Sequence, residues 1–182
     1  VTRPAVVVGD ATLPAEQIED QLRDDRGITI PPGRWGLEPY PMPEFARLLA
    51  VALAVPGLPG WPVFCDIGAG CGVKVLMAAE AGCRAYGVEA VKAYQEAAAG
   101  LGATVVLGEA EEQDYSAVDI ALVNCPYRNP QLEAAFEDAI RAALRPGVVL
   151  ISVNHCRPPS GWQVVLDEPD RDRGIYVKPF GG

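Results

Sequence analysis

Phe64-Cys65-Asp66-Ile67-Gly68-Ala69-Gly70-Cys71-Gly72 is the stretch that most restricts how this chain can fold. An apolar run, Trp61 to Phe64, leads into Asp66. Three glycines follow at alternate positions, and Val73 to Ala81 reads as a helix. A strand that enters a glycine-rich turn and leaves as a helix forms a cradle for a nucleotide-type cofactor, because glycine has no Cβ to hold a ligand off the main chain. Spacing narrows the cofactor. Counted from Gly68, a dinucleotide fingerprint needs its third glycine at position 73, where this chain has Val73. No tyrosine stands four residues before any of the three lysines, Lys74, Lys92 and Lys178, so a nicotinamide dehydrogenase is disfavoured twice.

The remainder of the chain alternates strand and helix signals. Arg84 to Val88 is an apolar strand ending at Glu89, and Val91 to Leu101 a helix stopped by Gly102. Ala103 to Leu107 is a β-branched run, and Val118 to Val123 a strand ending at Asn124. Pro130 to Leu144 has helical periodicity, and Val148 to Val153 is a fifth buried strand. Near-continuous apolar strands separated by helices predict a doubly wound α/β domain with a mostly parallel sheet covered on both faces. Trp162 to Leu166 and Ile175 to Val177 have only the polar stretch Asp167 to Gly174 between them and should pair as an antiparallel hairpin. Upstream, Pro43 to Val55 reads as a helix, Ile28 to Pro41 as a Pro/Gly-rich loop packed on the domain, and Pro14 to Arg23 as a short helix. Residues 1–38 are taken as an extension or cap, and residues 39–182 as the domain proper.

Length and composition bound the rest. A chain of 182 residues with 49% hydrophobic and 21% charged residues suits one globular domain. The net charge of −9 disfavours an extended nucleic-acid surface and fits a neutral or cationic partner. Five cysteines, with no C-x-x-C and a single histidine, His155, predict reduced thiols and no metal cluster, with Cys65 and Cys83 filling the core. No apolar run reaches the length of a bilayer span, and no basic-then-apolar signal opens the chain. The expected location is cytoplasmic, with no membrane partner.

In an open α/β sheet the ligand lies beyond the carboxyl ends of the strands, and polar or glycine residues gather there at four strand ends. Glu89 stands about 20 residues past the cradle, where a carboxylate can accept both hydroxyls of a ribose. Gly108-Glu109-Ala110 closes the next strand, and Asn124-Cys125-Pro126-Tyr127 the one after it. An Asn carbonyl can hold the N–H of an amine, and an aromatic face can stabilise a cation passing over it. His155, just past the fifth strand, is a candidate base or a structural hydrogen-bonder. An amine with a pKa near 10.4 arrives protonated, so His155, Tyr127 or solvent must take its proton.

The D-x-G-x-G-x-G pattern from Asp66 to Gly72 resembles motif I of the class I S-adenosyl-L-methionine (SAM) methyltransferases. Asn124-Cys125-Pro126-Tyr127 resembles the N-P-P-Y motif of amino-methylating enzymes, with Cys125 in place of the first proline. Pro41-Met42-Pro43-Glu44-Phe45 and Pro158-Pro159-Ser160-Gly161-Trp162 look like the P-x-P entry and the P-x-x-G-W turn of small non-SET protein-lysine methyltransferases. Together these cover roughly residues 39 to 178. The resemblance implies a seven-stranded, mostly parallel sheet finished by a C-terminal antiparallel hairpin. It also implies SAM held by Asp66, Gly68, Ala69, Gly70 and Gly72, with ribose on Glu89 and adenine at Glu109 or Ala110. Tyr40 and Met42 would form a lid. Asn124, Tyr127 and His155 are the candidates for catalysis on an amine-bearing acceptor, a protein lysine among them. A small natural product or a nucleobase is the alternative acceptor, and a non-catalytic SAM-binding module the alternative role. Oligomeric state is not legible in the sequence.

Overall fold

The computed structural model describes residues 5–8, 11–14, 28–30, 36–37, 40–124, 127–154 and 159–180. The first two segments are short strands, β1 (Ala5–Val8) and β2 (Ala11–Pro14), paired antiparallel. Apart from Pro14, the residues expected to form the Pro14 to Arg23 helix lie outside the described ones, and Pro14 ends β2.

Seven further strands form one sheet. They are β3 (Val63–Ile67), β4 (Arg84–Glu89), β5 (Val105–Leu107), β6 (Ile120–Asn124), β7 (Val149–Val153), β8 (Gln163–Glu168) and β9 (Arg173–Val177). Their spatial order is β5-β4-β3-β6-β7-β9-β8. The first five run parallel, while β9 is antiparallel to both β7 and β8. The doubly wound sheet with its terminal antiparallel hairpin is thus as the sequence led us to expect. The hairpin is tighter than expected. Its strands reach Glu168 and Arg173, and only a 3-10 turn, Pro169–Arg171, and Asp172 separate them. A Glu168–Arg173 ion pair closes this end and extends the ladder into residues whose polarity had suggested a loop.

Helices α1 (Met42–Leu53), α2 (Val73–Glu80), α3 (Lys92–Gly100) and α4 (Pro130–Ala143) cover the sheet. Strand side chains alternate between faces. Phe64, Ile120, Leu122, Val149 and Ile151 meet Phe45, Leu48 and Leu49 of α1 and Ala78 of α2 on one face. Cys65, Ile67, Ala121, Val123 and Leu150 meet Phe136 and Ile140 of α4 on the other. α3 lies on the α1 side, where Ala98 packs with Val75, Ala103 and Val105. Ile28, Ile30 and Leu37 pack against Val73, Val91 and Tyr94, so the described part of the Pro/Gly-rich loop lies on the domain. Cys65, Cys71 and Cys83 are buried and form no disulfide, and burial pushes the Cys65 thiol up to about 12. No helix among the described residues is long and apolar enough to cross a membrane. Strand order reverses between β3 and β6, and there the carboxyl ends of the strands diverge to leave a cleft.

Candidate functional site

The loop after β3 is held down by main-chain bonds. The N–H groups of Gly68 and Ala69 both donate to the Val88 carbonyl, each at 2.9 Å. That folds the loop across the end of β4, over Gly87. A Cβ on Gly87 would lie 2.4 Å from the Ala69 Cβ and 3.0 Å from Val75, so only glycine lets the loop come this close. The loop's own glycines serve different ends. Among the described residues, a Cβ on Gly68 would meet only the Asn124 carbonyl, at 3.9 Å, which leaves bare main chain facing the cleft. One on Gly72 would strike Ala103 at 2.6 Å and Ala98 at 3.2 Å. Gly72 therefore does not line the cleft; it sits at a left-handed helix start where α2 packs on α3 and β5.

Glu89 ends β4 with its carboxylate buried. One oxygen accepts the Gly70 N–H at 2.8 Å and the other the Val91 N–H at 2.7 Å. The acid thus fastens both the loop and the start of α3. Asp66, Gly68, Ala69, Gly70, Glu89, Ala110, Asn124, Tyr40 and Tyr127, all singled out in the sequence, line one open cleft of about 940 Å³ that includes its mouth. Glu109 is exposed and does not line it. Its carbonyl takes the Gln113 amide while a 3-10 turn, Ala110–Glu112, carries Ala110 and Glu111 to the cleft instead. Tyr115, fully buried, anchors that turn by donating its hydroxyl to the Ala110 carbonyl at 2.7 Å.

On the β6 side, the Asn124 amide oxygen accepts from the Asn154 side chain at 2.7 Å. Asn154 follows β7 in a left-handed conformation, with φ 56°. The oxygen expected to hold an acceptor amine is therefore already oriented by one donor. Tyr127 donates to Glu111 at 3.1 Å, and its ring packs 5.4 Å from that of Phe136. Cys125, Pro126 and His155 lie outside the described residues.

Tyr40 is buried, and its hydroxyl accepts from Arg173 of β9 at 3.0 Å. The same guanidinium reaches Glu44 at 2.7 Å and also Glu168, which in turn binds Arg47 at 2.6 Å. Burial works against the Arg173 charge, but hydrogen bonds to Tyr40, Glu168 and Glu44 outweigh it and raise its pKa. The bond to Arg173 holds the Glu44 and Glu168 carboxyls below their ordinary range. Met42, the other lid candidate, opens α1 and packs with Leu37 and Tyr94 without lining the cleft.

Sequence reasoning passed over several lining residues. Leu37 lies against Gly70, where a Cβ would meet its Cδ1 at 2.4 Å, and its N–H donates to the Tyr94 hydroxyl at 3.1 Å. Tyr94, Phe136 and Val153 line the cleft as well. Their apolar character blends into helix and strand patterns and gives no sequence signal. Lys74 did carry one, being a lysine between Val73 and Val75 in the apolar first turns of α2.

No protein-family model matches the sequence. Nor does any curated protein match it significantly. Solved structures do match. An RNA methyltransferase from Salinibacter ruber, in complex with S-adenosyl-L-homocysteine (SAH), aligns with a TM-score of 0.58 at 21% identity, over 80% of this chain and 96% of that one. A magnesium protoporphyrin IX methyltransferase from Synechocystis PCC 6803 with bound SAM gives 0.54 at 16% identity, over 75% and 78%. A TehB-like SAM-dependent methyltransferase from Corynebacterium glutamicum gives 0.52 at 14%, over 74% and 86%. At these identities the likeness establishes the class I methyltransferase fold for this chain.

Proposed function

We propose that this chain is a SAM-dependent methyltransferase of the cytoplasm that places its methyl on an amine nitrogen, a protein lysine being the acceptor suggested by the flanking motifs. The observation that carries the reading is the join between loop and acid: Gly68 presents bare main chain to the cleft while the buried Glu89 clamps Gly70 and Val91 beside it. Such a cradle fits a nucleoside cofactor. Glu89 lines the cleft where ribose hydroxyls would meet its carboxylate, Ala110 borders the adenine end, and Asp66 supplies an anionic group to the amino-acid end. When bound, SAM supplies an electrophilic methyl on a sulfonium. The chain's own work is then positioning. The Asn124 oxygen, steadied by Asn154, would accept an N–H of the acceptor and aim its lone pair. Tyr127 offers its ring to the developing charge. Glu111 at the cleft and the net charge of −9 favour a cationic or neutral acceptor over an RNA chain. Residues 1–38 are taken as a cap, of which Leu37 already closes on Gly70.

Calorimetry with SAH and transfer of a radiolabelled methyl into cell-lysate fractions test the two levels separately. The expected result is SAH binding, lost in Glu89→Ala, and label in the protein fraction that depends on Asn124. Label in nucleic acid or small molecules alone would reject the protein acceptor. Absence of SAH binding would reject the cofactor.

A further inference from the structure

Lys74 is the second residue of α2 and only 7% exposed, yet it lines the cleft. A buried ammonium loses its hydration and is kept only where other charge or hydrogen bonds compensate. The helix offers no packing reason for it, since Val73 and Val75 on either side are ordinary core residues. Among the described residues lining the cleft, Lys74 is the sole lysine or arginine, set against the acids Asp66, Glu89 and Glu111. Its place along the cleft follows from the helix. Residues four apart share a face, and Ala78, one turn on, packs in the core with Tyr40 and Phe45. Lys74 therefore belongs to the Tyr40 side of the loop. The ribose acid Glu89 and the Gly108–Ala110 edge belong to the other side, at the ends of β4 and β5.

We infer that Lys74 is the group that recognises the carboxylate on the amino-acid half of the bound nucleoside, an inference that rests on the cofactor reading above. The amino-acid half is a zwitterion, and among the described lining residues Lys74 and Asp66 set opposite charges toward its two poles. The consequence is selectivity. The chain should distinguish nucleoside thioethers that carry this carboxylate from those that lack it.

Calorimetry on the full chain tests this with SAH and with 5′-methylthioadenosine, which keeps adenosine and sulfur but ends in a methyl group. The wild-type chain should prefer SAH. Lys74→Met keeps the length and the apolar stem while removing the charge. It should weaken SAH by roughly tenfold to a hundredfold, the range of a charge-assisted hydrogen bond, and leave 5′-methylthioadenosine unchanged. Lys74→Arg should retain a preference for SAH. Equal weakening of both ligands, or of neither, would overturn the assignment while leaving the cofactor reading intact. A wild-type chain that binds neither would overturn both. Should Lys74→Met fail to fold, Lys74→Arg and the decarboxylated analogue of SAH decide the matter. Equal affinity of the wild-type chain for SAH and that analogue would end the proposal.

Discussion

A single hydrogen atom at Gly87 is what allows the Gly68-Ala69 loop to lie across β4. Gly87→Ala puts a Cβ 2.4 Å from that of Ala69, far inside contact distance. Overpacking of this kind costs about 1–3 kcal/mol. We expect a lower thermal midpoint together with weaker SAH binding, because the loop must lift off the Val88 carbonyl. A variant that melts and binds like the parent would show that Gly87 does not set the loop height. Asn154 invites a cleaner substitution. Its φ of 56° suits glycine, so Asn154→Gly removes the amide and spares the backbone. Losing one hydrogen bond to Asn124 should lower turnover up to about tenfold and leave SAH affinity alone. A change in SAH affinity with unaltered turnover would move Asn154 out of the proposed acceptor site.

The element most dependent on distant residues is α4. Its start is local: Asn129 accepts the N–H groups of Gln131 and Leu132, and Pro130 occupies the first turn. Its end is not. Lys178, beyond β9, donates to the carbonyls of Arg141 and Leu144 at 2.7 and 2.6 Å and lies over the Trp162 ring at 5.8 Å. A cation at a helix C-terminus that also satisfies free carbonyls contributes about 1–2 kcal/mol. Lys178→Met should lower stability in urea by about that amount, with SAH binding unchanged. α4 carries Phe136 to the cleft wall, so amide exchange in its last turn should quicken first. No change in urea stability would mean the cap is ornamental.

At the scale of the whole molecule, an ion-pair network ties α1 to β9. Arg173, Arg171 and Arg47 meet Glu44 and Glu168, and Arg173 also reaches Tyr40 in the cleft. The two carboxyls titrate below their ordinary value of 4.5 in the folded chain. Their contribution to stability is therefore complete above the unfolded value and is lost as pH falls through the folded one. Urea midpoints should drop on acidification below about 4.5, and the drop should be shallower in Glu44→Gln. An identical acid limb in that variant would remove the network from the account. What the sequence settled by itself was the local: strand and helix positions from α1 onward, the glycine turn and the acid at the end of β4. Each of these follows from periodicity or backbone freedom within a few residues. The tight β8–β9 turn escaped because the polar residues Glu168 and Arg173 satisfy one another across the hairpin. The burial of Lys74, the closure of Leu37 over Gly70, the bond from Asn154 to Asn124 and the reach of Arg173 to Tyr40 also escaped. Only the tertiary structure decided these, because each joins segments whose proximity comes from strand order, and a linear pattern carries no information about which strand lies beside which.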